Sequence, residues 1–195
     1  EFARIFLYEN HIPADTMLFL GRLMTMLATL GLGVALVVWT RRHFGAGVGL
    51  LALLLYTLDP NVTAHGRYIT NDLLISLFLF LAVIAWVAWL RTGKMRDLLW
   101  AALALALGLL SKFSALILLP VFLVLYLIQW WRRRAGFGVF RLAAAGLVLA
   151  AVSIGVIGLA YARETKRLTF GGPEQFQPLT AVVGPGTGVR GLLHH

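Results

Sequence analysis

The sequence has no cysteine. That excludes a disulfide framework and any cysteine-ligated metal or cluster. Charge is scarce as well: Asp, Glu, Lys and Arg make up 13% of the 195 residues, against 60% hydrophobic types, and the mean hydropathy is +0.86. A soluble domain is about a quarter charged and under half apolar. An ordinary water-soluble domain is therefore excluded, and a disordered chain more firmly still. Acids are the scarcest charge, 8 against 17 Lys+Arg, for a net +9. In a soluble protein that excess suggests nucleic acid. In so apolar a chain it follows instead from the positive-inside rule, which gathers Lys and Arg in cytoplasmic loops, so no nucleic-acid partner is expected. No basic start, short apolar run and small-residue cleavage site marks a signal peptide. What remains is an all-α, polytopic transmembrane helical bundle. Its 12 Phe, 6 Trp and 5 Tyr suit the membrane interface.

The apolar runs mark the crossings. A spanning helix needs about 20 apolar residues. Residues 17–40 qualify, with Arg22 near their start and Arg41, Arg42 and His43 stopping them. Residues 46–58 are apolar but short, and the polar stretch DPNVTAHGRYITND at 59–72 follows. Residues 73–90 form the cleanest span, and the basic loop RTGKMRD at 91–97 leads into a second short run, 98–110. SKFS at 111–114 interrupts. Residues 115–131 then run apolar to Arg132, Arg133 and Arg134, with a kink expected at Pro120, and 142–162 form the last span. Residues 163–195 are polar and rich in Gly and Pro, and read as a loop or tail outside the bundle.

Charge decides the topology. A single helix over 98–131 would be about 50 Å long against a hydrocarbon core of about 30 Å. It would also put RTGKMRD and Arg132–Arg134 on opposite faces. A hairpin with SKFS at its tip gathers 41–43, 91–97 and 132–141 on the cytoplasmic side. The result is about six spans, with residues 59–72, the SKFS tip, the N-terminal segment and the tail on the other side. The two short runs each end in a polar break, and such interrupted segments often end at a binding site.

Several residues exceed what a membrane fold needs. Arg22 either snorkels to the headgroups or aims a cation at an anionic ligand. Asp59 precedes Pro60 and suits a helix stop or cap, and Asp72 suits an N-cap. Arg67 and Asp72 can also pair with each other. Yet His65, Arg67 and Asp72 lie together between two apolar helices, a set able to bind phosphate and handle a proton. His65 as a metal ligand lacks clustered partners. Lys112, at the SKFS tip, reads as a snorkelling Lys or a second phosphate-facing cation. Asp15 reads as an N-cap. Gly45-x-x-x-Gly49 permits close helix packing.

DPNVTAHGRYITNDLLISLFLFLA resembles the second extracytoplasmic loop and following helix of glycosyltransferase family 39, which includes the protein O-mannosyltransferases and the aminoarabinose transferases. The family pattern of a proline turn followed by Arg-aromatic-x-x-x-Asp is met by Arg67-Tyr68-Ile69-Thr70-Asn71-Asp72. The Arg22-bearing helix with its basic-Phe-Gly turn, and the segment LALGLLSKFSALILLP, resemble the flanking parts of that family in the same order, over about residues 5–160. The resemblance implies a GT-C fold and an enzyme of a bacterial or archaeal plasma membrane with its active face outside. It implies transfer of a sugar from a polyprenyl-phosphate donor to a hydroxyl of an acceptor protein, lipid or glycan. It places Arg67, Lys112 and Arg22 at the donor phosphate, and Asp72, with His65 and Asp59, at an acceptor or a divalent metal, whose requirement stays open. The family's principal catalytic Asp lies in the first extracytoplasmic loop, soon after the first helix, and this sequence reads as starting in the later part of that loop, so the 195-residue chain alone is expected to be inactive. From another class, a fragment of a transporter or channel for an anionic solute suits the same short helices and basic residues. It would place its polar residues at mid-membrane.

Overall fold

The computed structural model describes residues 13–133 and 138–170, and of residues 133 and 163–170 the backbone only. The positions expected for residues 1–12, for Arg134 and for the loop at 171–195 lie outside these. The chain divides into two compact units, Glu1–Ile157 and Gly158–His195. The described elements are all helical: α1 (Ala14–Phe44), α2 (Ala46–Leu58), α3 (Pro60–His65), α4 (Asp72–Thr92), α5 (Met95–Ser111), a 3₁₀ turn (Phe113–Ile117), α6 (Leu118–Arg133) and α7 (Val139–Phe170). Ala14–Phe44, Asp72–Thr92, Phe113–Arg132 and Val139–Ala162 are long and apolar enough to cross a membrane. The protein is thus a helical membrane bundle. The six expected spans appear as these four and two shorter helices, α2 of 13 residues and α5 of 17.

Turns between helices fall where glycine permits them. Gly45, with φ 93°, separates α1 from α2. Gly93, with φ 69°, ends α4 in the left-handed conformation and donates its N–H to the Trp89 carbonyl. The α1–α2 hairpin is close because small residues face bulky ones: a Cβ on Gly49 would lie 3.0 Å from the Arg41 Cβ, and one on Gly33 would lie 3.0 Å from the Tyr56 ring. Of the Gly45-x-x-x-Gly49 pair, Gly49 makes the close approach and Gly45 forms the turn.

The core lies between α4, α5, α6 and the start of α7. Leu98, Ala101, Ala102 and Leu105 bury one face of α5 against α4. Trp86 is 1% exposed, stacks on Phe122 at 4.5 Å and donates its indole Nε1–H to the Phe122 carbonyl at 3.1 Å. One turn further on, Trp89 stacks on Tyr126 at 6.2 Å. The pairs 86–122 and 89–126 advance together, so α4 and α6 run parallel and α5 returns between them. Residues 98–131 are therefore a hairpin, as length and charge require. Tyr126 Oη donates to the Gly138 carbonyl at 2.9 Å and accepts the Gly138 N–H at 3.1 Å, which ties α6 to the entry of α7.

Pro120 lies in the first turn of α6, directly after the 3₁₀ turn and within the helical run Phe113–Arg132. The last span ends at Ala162, as expected, and its helix continues to Phe170, so residues 163–170 are helical where a loop was expected.

Two substitutions test this packing. Trp86→Ala is expected to destabilise the bundle by about 3–5 kcal/mol, and Trp86→Phe by about 1 kcal/mol, since one interhelical hydrogen bond is lost. Gly49→Val forces a methyl group against Arg41 and is expected to cost about 1–3 kcal/mol. Equilibrium unfolding in mixed micelles measures all three.

Candidate functional site

The site is set by where α2 ends. Tyr56 Oη donates to the Thr29 carbonyl at 2.7 Å, and its ring lies on Gly33. α2 runs antiparallel to α1 and stops at Leu58, close to the level of Thr29. Arg22 is about two turns, or 10 Å, further along α1. From Arg22 to Arg41 is about 28 Å along the helix axis, close to the hydrocarbon thickness of about 30 Å. α2 ends about two turns short of the level of Arg22, and the polar stretch begins there.

Asp59 makes the turn. It ends α2 and caps α3, its Oδ1 accepting the N–H groups of Asn61 at 2.7 Å and Val62 at 3.4 Å. Pro60 opens α3, where no N–H is needed. The structural role expected of Asp59 is met, and its Oδ1 is occupied by the cap. Gly66 then lies against α1: a Cβ there would be 3.3 Å from Thr29 Oγ1. Ile69 packs on Gly21, with its Cδ1 2.8 Å from a Cβ built there. The segment 66–70 therefore climbs α1 from Thr29 towards Gly21 and delivers the chain to α4.

Asp72 is the first residue of α4, not its N-cap. The cap position is Asn71, whose carbonyl accepts the Ile75 N–H. Freed from capping, the Asp72 carboxylate accepts a hydrogen bond from Lys112 Nζ at 2.8 Å, and His65 Nδ1 lies 3.9 Å from its other oxygen. Each of the three side chains is about half exposed. The Asn71 side-chain amide donates to the Ser111 carbonyl at 3.3 Å, which fastens the end of α5 beside the start of α4. Lys112 follows in extended conformation, φ −161° and ψ 135°, before the 3₁₀ turn. That turn approaches α5 at Gly108, where a Cβ would be 3.2 Å from the Ala115 Cβ.

The structure thus brings together Asp72, Lys112 and His65. Arg67 is in the same loop, exposed, and pairs with no described residue; the possible Arg67–Asp72 ion pair is not formed. Arg22 is exposed and likewise unpaired among the described residues. Its spacing puts it on the face of α1 that carries Thr29 and Gly33, directly above the recessed end of α2. Asp15 lies in the first turn of α1, which starts after Pro13, and makes no cap hydrogen bond. Its charge complements the helix dipole there. For a divalent metal, His65 and Asp72 offer two ligands, and Lys112 already sits on the carboxylate. Among the described residues no group of three His, Cys, Asp or Glu side chains gathers. Asn71 and Gly108 are the positioning residues that sequence reading missed. Asn71 stood next to the Asp of the Arg-aromatic-x-x-x-Asp pattern, but its partner is remote in sequence.

The opposite end of the bundle carries Arg41, Arg42, Arg91, Lys94, Arg96, Arg132 and Arg141. All described charged side chains of the spans lie at one end or the other, none at mid-span. No curated protein and no solved structure matches the chain significantly. A family model does, the one described as dolichyl-phosphate-mannose-protein mannosyltransferase, over residues 14–157. That range takes in α1 to α6, the recessed polar loop with Arg67 and Asp72, Lys112, and most of α7. An integral membrane bundle with this loop, matched over this length, belongs to the dolichyl-phosphate-mannose-protein mannosyltransferase family of membrane glycosyltransferases.

Proposed function

We propose that this chain carries the donor-phosphate site of an enzyme that moves a sugar from a polyprenyl-phosphate carrier to an acceptor hydroxyl, at the face opposite the basic end, which is the extracytoplasmic face by the positive-inside rule. The observation that carries the reading is that the exposed guanidinium groups of Arg67, within the polar loop, and Arg22, on the helix that loop packs along, pair with no described residue. A glycosyl phosphodiester has one negative charge. When the acceptor oxygen attacks the anomeric carbon, the bond to the phosphate oxygen breaks and the departing phosphate gains a second charge. Cations already in place stabilise that gain without reorganising at the moment of reaction. Arg22 and Arg67 supply two, and Arg suits bidentate contact with phosphate oxygens. Lys112 has three N–H donors, of which Asp72 takes one, so it can hold a phosphate oxygen while staying anchored. In this reading Asp72 aims Lys112 and offers its second oxygen, with His65, to the acceptor. No step here is routed through a metal. A transporter finds no matching support, because no charged side chain of the described spans lies at mid-membrane.

The test is transfer of labelled sugar from a lipid-linked donor by the complete gene product. Arg67→Ala and Arg22→Ala are each expected to lower turnover by about 10²–10³-fold, with folded yield unchanged. Wild-type turnover in Arg67→Ala would sink the reading. Lys112→Met and Asp72→Asn separate the roles of the pair. If the pair only braces α4 against α5, the double variant should recover once neither charge is left alone. The phosphate-site reading expects the double variant to stay as slow as Lys112→Met.

A further inference from the structure

The basic end of the bundle carries a second cluster of cations, remote from Asp72 and Lys112 along α4 and α5. At the α4–α5 turn, Arg91 and Lys94 are exposed and pair with no described residue. Arg96 is 76% exposed at its side chain. The acid of this turn, Asp97, points inward: its side chain is 12% exposed and accepts the Thr92 hydroxyl at 2.7 Å. It touches Arg96 at 3.5 Å but leaves Arg91 and Lys94 uncompensated. The first two turns of α5 follow these cations and carry exposed apolar side chains, with Met95 57%, Leu99 46% and Trp100 59% exposed. The opposite face of α5 is fully used in the core. The turn cannot fold away, because Gly93 holds its left-handed conformation and the Arg141 guanidinium closes its other side, over the Trp89 ring at 5.0 Å.

We propose that this corner binds an anionic phospholipid of the leaflet at the basic end. Arg91 and Lys94 hold the phosphate and the net negative headgroup, Arg96 flanks them, and the acyl chain lies along Met95, Leu99 and Trp100. Three features select this ligand. The cations sit at the level where a helix leaves the hydrocarbon, so a phosphate there is a headgroup phosphate. Exposed apolar side chains, Met95, Leu99 and Trp100, follow the cations directly in the first turns of α5. The exposed Trp100 occupies the depth at which tryptophan rings lodge between chains and headgroups. A zwitterionic lipid supplies the same chains but brings its own cation against Arg91 and Lys94, and it is disfavoured on that account.

The experiment is competitive lipid retention. The complete gene product is equilibrated in vesicles of phosphatidylcholine with a minor fraction of phosphatidylglycerol, extracted gently, and its bound lipid quantified by mass spectrometry. Phosphatidylglycerol is expected to be enriched about fivefold or more over its share of the vesicle, and not displaced by inorganic phosphate, which carries the charge without the chains. The double variant Arg91→Gln/Lys94→Gln is expected to bring enrichment close to parity with its helical circular dichroism unchanged. The control Arg41→Gln/Arg42→Gln removes equal charge from the same end, on α1, and is expected to keep most of the enrichment. No enrichment in the unmodified protein overturns the proposal. So does displacement by inorganic phosphate, or an equal loss in both double variants, which would mean a diffuse charge effect and no site.

Discussion

Tyr56 sets where α2 ends against α1 and so where the polar loop begins. Its hydroxyl is held by the Thr29 carbonyl and its ring by the bare backbone of Gly33, so the last turn of α2 is pinned about two turns short of Arg22. A helix that ended at the boundary would place the following loop in the aqueous phase, where a polar sequence has no work to do beyond reversing the chain. Ending early, α2 leaves the chain to cross the remaining depth in another form. Asp59 and Pro60 build the short α3, and Gly66 allows the backbone to lie against Thr29. Backbone groups outside a helix are tolerated at such depth only where protein or a wet cleft receives them. The recess is thus both a structural demand and a binding opportunity.

The second constraint is the pairing of α4 with α5. Their antiparallel packing returns Lys112 to Asp72 at the polar-loop end and holds Arg91, Lys94 and Arg96 together at the other. The two ends treat charge differently. At the polar-loop end, Asp72, Lys112 and His65 form a small linked group, with Arg22 and Arg67 open beside it. At the basic end, one acid is turned inward and the cations face out. The same helix pair therefore presents a partly neutralised, recessed site at one face and an uncompensated rim at the other.

Much of this was legible in the sequence. Run lengths and the clustering of Arg and Lys predicted the helical membrane bundle, the hairpin at SKFS and the common end of Asp72 and Lys112. The capping role of Asp59 was readable because Asp-Pro is a local signal. Residues 163–170 read as a loop but continue the last helix, because hydropathy reports the solvent of a helix and not its end.

Composition and order alone determined that the chain crosses a membrane, which end is basic, and which polar residues have no place in lipid. These follow from transfer free energies, which each residue carries with it. The tertiary structure alone decided who partners whom: that Lys112 and not Arg67 takes Asp72, that Asn71 fastens the end of α5, and that α2 stops below Arg22. Those outcomes depend on side chains meeting across helices, at Gly33, Gly66 and Gly108, and a contact between residues remote in sequence is not carried by either residue alone.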